Sequence, residues 1–297
     1  MLPSAAIVCF GETLWDMLPT GRQPGGAPGN VALHLHQLGQ PVQLISRVGD
    51  DELGHELLAF LDARGLDPAL VQRSDTHLTG VVKANIGASG APVSYQIAWP
   101  QAWDYIQHTG ALRTAVAQGQ MLVYGSLAAR SPVSRETLYR LLQHAAFKVF
   151  DLNLRPPNYA REVVKYLLQQ ADLVKLNETE LAEVMGWLGQ PAAASTALPW
   201  LAGHFGLRAV CLTQGAAGAV LYAEGMWYHS PGYAVAVADP IGCGDAFLAA
   251  LLAGWAAGTG PAECLRRACA AGAVVAGRRG ASPALTETDL LALLHAP

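Results

Sequence analysis

The sequence predicts an α/β protein: a mainly parallel sheet covered by helices on both faces, with a second, smaller sheet standing apart. Three observations lead there. Short apolar, largely β-branched runs recur along the chain. Segments with apolar spacing of about 3.6 residues separate most of them, and two further stretches alternate in polarity with no helix attached.

The expected strands of the main sheet are Ile7–Phe10, Val42–Val48, Met121–Tyr124, Lys148–Leu152, Leu173–Leu176 and Ala209–Leu212. Strands buried on both faces have no solvent side, so they read as continuous apolar runs. Leu53, Leu57, Leu58 and Leu61 typify the helical spacing between them. The alternating stretches are Glu12–Thr20 and Thr79–Trp99, the latter reading Val81-Lys83-Asn85 and then Val93-Tyr95-Ile97-Trp99. Half-polar strands outside a βα series fit a small lid over the C-terminal edge of the parallel sheet. The division that follows is a core of residues 1–10, 21–77 and 101–297 and a β-lid of residues 11–20 and 78–100. Ala192–Ala197, near Pro191 and Pro199, reads as a surface connection. The last third is helical. One stripe runs through Phe247, Leu248, Leu251, Leu252 and Trp255, another through Leu265, Ala268, Cys269, Gly272, Val275 and Ala276.

Composition excludes several function classes. Of 297 residues, 52% are hydrophobic and 14% charged, which argues for a well-buried interior and against disorder. Lys plus Arg total 19 against 23 Asp plus Glu, a net charge of −4, so no basic field draws nucleic acid or an anionic membrane. The apolar run Ala246–Ala257 is too short to span a bilayer and reads as a buried helix. Cys9, Cys211, Cys243, Cys264 and Cys269 are widely spaced with no C-x-x-C, which fits reduced thiols rather than a disulfide or zinc framework. The opening MLPSAAIVCFGE lacks the basic region of a secretory signal, and a soluble cytoplasmic protein is expected.

The stretch richest in chemistry is Asp239-Pro-Ile-Gly242-Cys243-Gly244-Asp245-Ala-Phe247, which opens the apolar helix. Glycines at 242 and 244 allow a ligand close to the backbone, and the free N–H groups of a first helical turn form an anion site without a basic side chain. An Asp in that turn repels phosphate if holding phosphate is all the turn does. It makes sense if Asp245 takes the proton of an alcohol attacking phosphorus, while the amides of 242–244 stabilise the transferred group. The bland alternative is a glycine-rich helix start whose Asp complements the dipole. The dipole is expected to depress the pKa of Asp245. No G-x-x-x-x-G-K-[ST] occurs, so a P-loop enzyme is not expected.

Six segments then bear on one family. They are Gly11-Glu12-Thr-Leu-Trp-Asp16; Gly25-Gly26-Ala27-Pro28-Gly29-Asn30 with Arg47-Val48-Gly49-Asp50-Asp51-Glu52-Leu53-Gly54; Asp151-Leu-Asn153-Leu-Arg155; Lys175-Leu-Asn177-Glu178-Thr-Glu180; Thr213-Gln-Gly215-Ala-Ala-Gly218; and Asp239–Phe247. In this order, over almost the whole chain, they resemble the PfkB (ribokinase-like) carbohydrate kinases. The Gly-Glu opening, Asp-x-Asn-x-Arg and Trp99-Pro-Gln-Ala-Trp103-Asp-Tyr105 look most like bacterial fructokinase-type members.

The resemblance implies a three-layer α/β/α ribokinase-like sandwich with a small β-lid, and an ATP-dependent kinase that binds sugar between them. Carried over by position, Asp245 is the catalytic base, Gly242, Cys243 and Gly244 form the anion hole, and Asp16, Gly26 and Asn30 hold sugar hydroxyls. Thr213, Gly215 and Gly218 match the turn beside the nucleotide, or are simply a β-turn. Asn177 and Glu180 match an N-x-x-E that organises Mg2+ through water, and the same spacing makes a helix capping box. Arg155 can complement substrate or phosphate charge, or form a surface salt bridge. The lid aromatics Tyr95, Trp99 and Trp103 can cover the sugar, make the lid's own core, or meet a second lid in a homodimer.

Two departures from the family pattern stand out. Pro240 replaces the usual Thr in a region that borders a monovalent-cation site in many relatives, which leaves K+ activation open. Cys243 replaces the usual Ala; its thiol, at a helix N-terminus, is expected to have a lowered pKa. Fructose is the first-choice sugar. The alternatives are 2-keto-3-deoxygluconate, with Lys83 or Arg155 for its carboxylate, ribose or a nucleoside, and, from another class, a non-catalytic sugar sensor on the same fold.

Overall fold

The computed structural model describes residues 5–18, 21–85 and 94–295, the side chains of residues 84, 85, 94 and 95 excepted. The main sheet has nine strands. Seven run parallel: β1 (Ile7–Phe10), β4 (Val42–Gly49), β5 (Val71–Ser74), β8 (Met121–Gly125), β9 (Lys148–Asp151), β10 (Leu173–Asn177) and β11 (Ala209–Thr213). An antiparallel hairpin, β12 (Ala219–Ala223) and β13 (Met226–Ser230), closes one edge, giving the order β13-β12-β11-β10-β9-β8-β1-β4-β5. Every expected apolar run is a strand of this sheet.

Alternation within each strand builds two cores. Ile7 and Cys9 of β1 face one side, where they pack with α1 (Ala27–Gln37), α2 (Glu52–Ala63), α8 (Cys243–Ala256) and α9 (Pro261–Ala276). Val8 and Phe10 face the other, against α3 (Gly110–Gln118), α4 (Pro132–Leu142), α5 (Arg161–Gln170), α6 (Glu178–Trp187) and α7 (Ala194–Phe205). The result is the expected three-layer α/β/α sandwich. α8 lies between α9, α1 and the sheet, and α10 (Glu287–Leu294) packs against α9. A segment expected as a surface connection, Ala192–Ala197, is instead the start of α7 from Ala194, because Ala197, Leu198 and Leu201 gain burial against the sheet.

The small sheet has the order β3-β2-β6-β7, from β2 (Leu14–Leu18), β3 (Gly21–Gly25), β6 (Val81–Asn85) and β7 (Ser94–Ile97). β3 is a correction, since residues from 21 onward were assigned to the core. Its Gly-Arg-Gln-Pro-Gly sequence has no apolar alternation, and it forms by pairing with β2 at the sheet edge, where Pro24 costs little. Val93, expected in this sheet, lies outside the described residues.

Two polar clusters fasten the small sheet to the core. The Asp51 carboxylate N-caps α2 through Gly54 N–H at 2.8 Å and accepts both the N–H and the hydroxyl of Thr79, at 2.8 and 2.7 Å. Arg130 donates twice to Asp104 at 2.8 Å, reaches Ala98 O at 2.7 Å just beyond β7, and lies 4.2 Å over the Trp103 ring.

Candidate active site

The parallel strands run outward in both directions from β1, which pairs with β4 on one side and β8 on the other. Ligands bind beyond the carboxyl ends of strands at such a switch point. A cavity of about 390 Å³ lies there, between the sheet and the lid. It is lined by Glu12, Asp16, Gly26, Asn30, Arg155, Lys175, Asn177, Thr213, Gly215 and Gly242–Asp245, with Leu14, Val82, Ile97 and Leu127 as apolar walls. A larger hollow of about 630 Å³ lies far from these residues, lined by Ala6, Pro41, Val42 and Leu70, and it carries no comparable cluster of charge.

The turn into α8 is built by backbone constraint. Asp239 accepts N–H groups from Ile241 at 3.0 Å and Gly280 at 3.1 Å, which fixes the approach. Gly242 caps the helix at φ +79, and a Cβ there would stand 1.9 Å from Ala281 O, so only glycine fits. The N–H groups of Cys243 and Gly244 precede the first intrahelical bonds and find no backbone acceptor among the described residues. They are available to an anion.

Asp245 stands in the same turn and accepts a hydrogen bond of 2.8 Å from Asn30 Nδ2, on α1. Its pKa was expected below normal. Burial instead raises it to about 6, the Asp151 charge adds to the rise, and Asn30, Lys175 and Arg155 oppose it. The Cys243 thiol is corrected in the same direction: burial and the neighbouring Asp245 charge push its pKa up, outweighing the amides at the helix start.

On the lid side, β2 carries Asp16 to the cavity, where burial lifts its pKa to about 6 against the pull of Arg155. Gly26 has φ +97, and a Cβ would meet Glu12 O at 2.5 Å. Asn30 follows one turn into α1, so Asp16, Gly26 and Asn30 meet as expected. Trp99 does not join them. It is 65% exposed and lines no part of the cavity, where Ile97 forms the wall instead. Trp103 is fully buried beneath, donating its indole N–H to Gln101 Oε1 at 2.7 Å. The Tyr95 side chain lies outside the described residues.

On the sheet side, the cavity continues into a hollow of about 290 Å³ lined by Asn177, Glu178, Thr179, Glu180, Thr213 and Gly215. Asn177 and Glu180 form the capping box: Asn177 Oδ1 accepts Glu180 N–H at 2.9 Å and Glu180 Oε2 accepts Asn177 N–H at 2.9 Å. The other Glu180 oxygen accepts Leu154 N–H at 2.8 Å. Both oxygens are therefore in use, and among the described residues no three His, Cys, Asp or Glu side chains gather as a metal site. A magnesium ion here would be held by phosphate oxygens and water, with Asn177 and Glu180 reaching it through that water. Arg155 lies at the junction of the two spaces, donating to Leu154 O at 3.1 Å. Gly218 is not brought to the site. It is buried at φ +95, where a Cβ would lie 2.1 Å from Ser230 O, so its work is the turn itself.

Two charged cavity residues were not singled out from sequence as site residues. Glu12 is buried, and one carboxyl oxygen has no partner among the described residues. Burial pushes its pKa up to about 7, with Asp245 adding to the rise, while its own N–H and that of Ala27 work against it. Gly26 offers α1 no capping side chain, and the N–H of Ala27, at the start of that helix, favours the ionised form of Glu12. Lys175 is buried in β10, its Nζ 2.9 and 3.0 Å from the two oxygens of Asp151. Its signal was the single cation inside an apolar strand.

The pfkB family carbohydrate kinase model matches residues 7–288. The chain belongs to the PfkB family of carbohydrate kinases. Among relatives, the fructokinase of Klebsiella pneumoniae is 30% identical over 302 residues, covering 94% of this chain and 96% of that protein. The fructokinase of Escherichia coli is also 30% identical, over 84% of each chain. The structure of fructokinase from Xylella fastidiosa with bound ATP superposes with a TM-score of 0.86 at 25% identity, covering 98% of both chains. As a PfkB kinase, the protein is an ATP-dependent sugar kinase rather than a non-catalytic sensor on this fold. None of its helices among the described residues is long and apolar enough to cross a membrane.

Proposed function

We propose that the protein is a fructokinase, transferring the γ-phosphoryl group of ATP to a primary hydroxyl of fructose. The fructokinase relatives at 30% identity support the sugar. The hydrogen bond between Asn30 and Asp245 supports the chemistry, because it ties a polyol-binding side chain to the carboxylate that must receive the proton.

In this reading fructose lies under the lid, with Asp16 accepting from its hydroxyls and Asn30 offering both a donor and an acceptor. ATP lies along the sheet edge by Thr213 and Gly215, its terminal phosphate against the amides of Cys243 and Gly244, with Gly242 setting the turn. Asp245 takes the hydroxyl proton late in a loose transition state, so a modest base suffices. Val82, Ile97 and Leu127 wall the reacting atoms from water, which limits wasteful ATP hydrolysis.

A second reading, 2-keto-3-deoxygluconate, draws on Arg155, a cation lining the cavity within reach of a substrate carboxylate. Lys83 does not support it, being exposed on the lid and outside the cavity lining. ADP release measured with fructose, 2-keto-3-deoxygluconate, ribose and adenosine decides between them. Fructose is expected to give a kcat/KM about tenfold or more above the rest; a preference for the keto-acid that Arg155→Met abolishes would establish the second reading.

A further inference from the structure

Lys175 is 8% exposed, and Asp151 faces it directly across the parallel pair of β9 and β10. A buried ion pair of this kind is weak evidence for stability, since apolar residues of similar volume often serve as well. Its position suggests another use. A Cβ at Gly244 would stand 3.5 Å from Lys175 Nζ, which puts the ammonium beside the amides at the start of α8 that lack a backbone acceptor among the described residues. Of its three protons, Asp151 accounts for two, and the third has no acceptor among the described residues. Lys175 and Arg155 are the cations lining the cavity, set among the carboxylates of Glu12, Asp16 and Asp245.

We propose that Lys175 is a catalytic residue whose third N–H donates to an oxygen of the phosphoryl group in transfer, with Asp151 as the positioning residue that aims it. The inference rests on phosphoryl transfer at the Gly242–Gly244 turn. As the sugar oxygen bonds to phosphorus, the bond from phosphorus to the β-phosphate oxygen breaks and its electron pair leaves with ADP. The hydroxyl proton passes to Asp245. Lys175 gives up no proton and acts by charge, as preorganised donors do. Burial opposes its ammonium form, but Asp151, Glu180 and Asp245 outweigh burial and hold its pKa above the ordinary value.

Four variants test this in the full-length protein, after wild type has been shown to phosphorylate a sugar. Absence of wild-type turnover would count against the kinase reading itself. Lys175→Met with Asp151→Leu removes the pair without stranding a charge. Lys175→Arg keeps the charge and gives a second readout if the double variant does not fold. The double variant is expected to lose about 100-fold or more in kcat and in affinity for ADP with Mg2+, aluminium fluoride and fructose, while fructose and ADP alone bind within about threefold of wild type. Lys175→Arg is expected to retain at least about tenfold more kcat than Lys175→Met. Asp151→Asn, by removing the partner that keeps the lysine charged, is expected to make kcat fall with rising pH over a range where wild type is flat. A folded double variant within about threefold of wild-type kcat overturns the proposal, as does Lys175→Arg no better than Lys175→Met.

Discussion

Asn30 Nδ2 and Asp245 Oδ2 lie 2.8 Å apart, although 215 residues separate them in the chain. One belongs to the helix entered from the lid, the other to the first turn of α8, the helix entered through Gly242. Their hydrogen bond makes the two halves of the site one unit, and it favours the carboxylate form of Asp245 against the burial that opposes it.

That balance predicts a pH limb. A proton acceptor must be ionised to work, so kcat/KM should rise with pH through about 6 and level off above it. Asn30→Ala removes the bond that lowers the Asp245 pKa, and the limb should move to higher pH. Glu12, at about 7, titrates nearby, so the limb should persist in Glu12→Gln. Profiles of the three proteins from pH 5 to 8.5 check this.

The same burial predicts a stability cost. Folding raises the pKa of Asp245 from 3.8 to about 6, so its contribution is most favourable below the unfolded value and is lost as pH rises through the folded one. Asp245→Asn should therefore be more stable than wild type at pH 8 by about 1–3 kcal/mol, the lower figure applying while water in the cavity screens the charge. The gap should close towards pH 5. Thermal unfolding of both proteins at the two pH values measures it.

Arg130→Met should cost about 3–5 kcal/mol, because it leaves the fully buried Asp104 carboxylate without its guanidinium and frees Ala98 O at the lid base. Denaturant unfolding reads the loss. A change below about 1 kcal/mol would mean the pair does not hold the lid.

Cys243→Ala should keep kcat within about threefold, since the proposed anion site would use the residue's N–H and not its sulfur. With its pKa raised, the thiol should alkylate more slowly with iodoacetamide than a free cysteine at pH 7, and ATP should slow it further. Peptide mapping after timed labelling follows it against Cys9 and Cys211, which are buried in the core.

Much of the fold was legible because doubly covered strands must be apolar, and runs such as Val42–Val48 and Ala209–Leu212 have no other good home. β3 was hidden because an edge strand of Gly, Arg, Gln and Pro takes its conformation from its neighbour rather than from its own pattern. The need for glycine at 242, where the chain turns into α8 with positive φ, was readable from residue type alone. The direction of the Asp245 and Cys243 pKa shifts was not, because burial by α1 and the sheet outweighs the helix dipole, and burial is a tertiary quantity. Lys175 escaped for a similar reason. Its partner Asp151 is adjacent only through the register of two strands. Trp99 looked like a sugar cover because aromatic type suggests contact, whereas the folded chain leaves it largely in solvent.

The most direct measurement is single-turnover transfer from ATP to fructose by Asp245→Asn, alongside fructose binding by calorimetry. Loss of the proton acceptor alone should slow transfer by about 1,000-fold or more and leave fructose affinity within about threefold. Transfer at close to the wild-type rate would contradict the assignment of Asp245, and with it the chemistry placed at this turn.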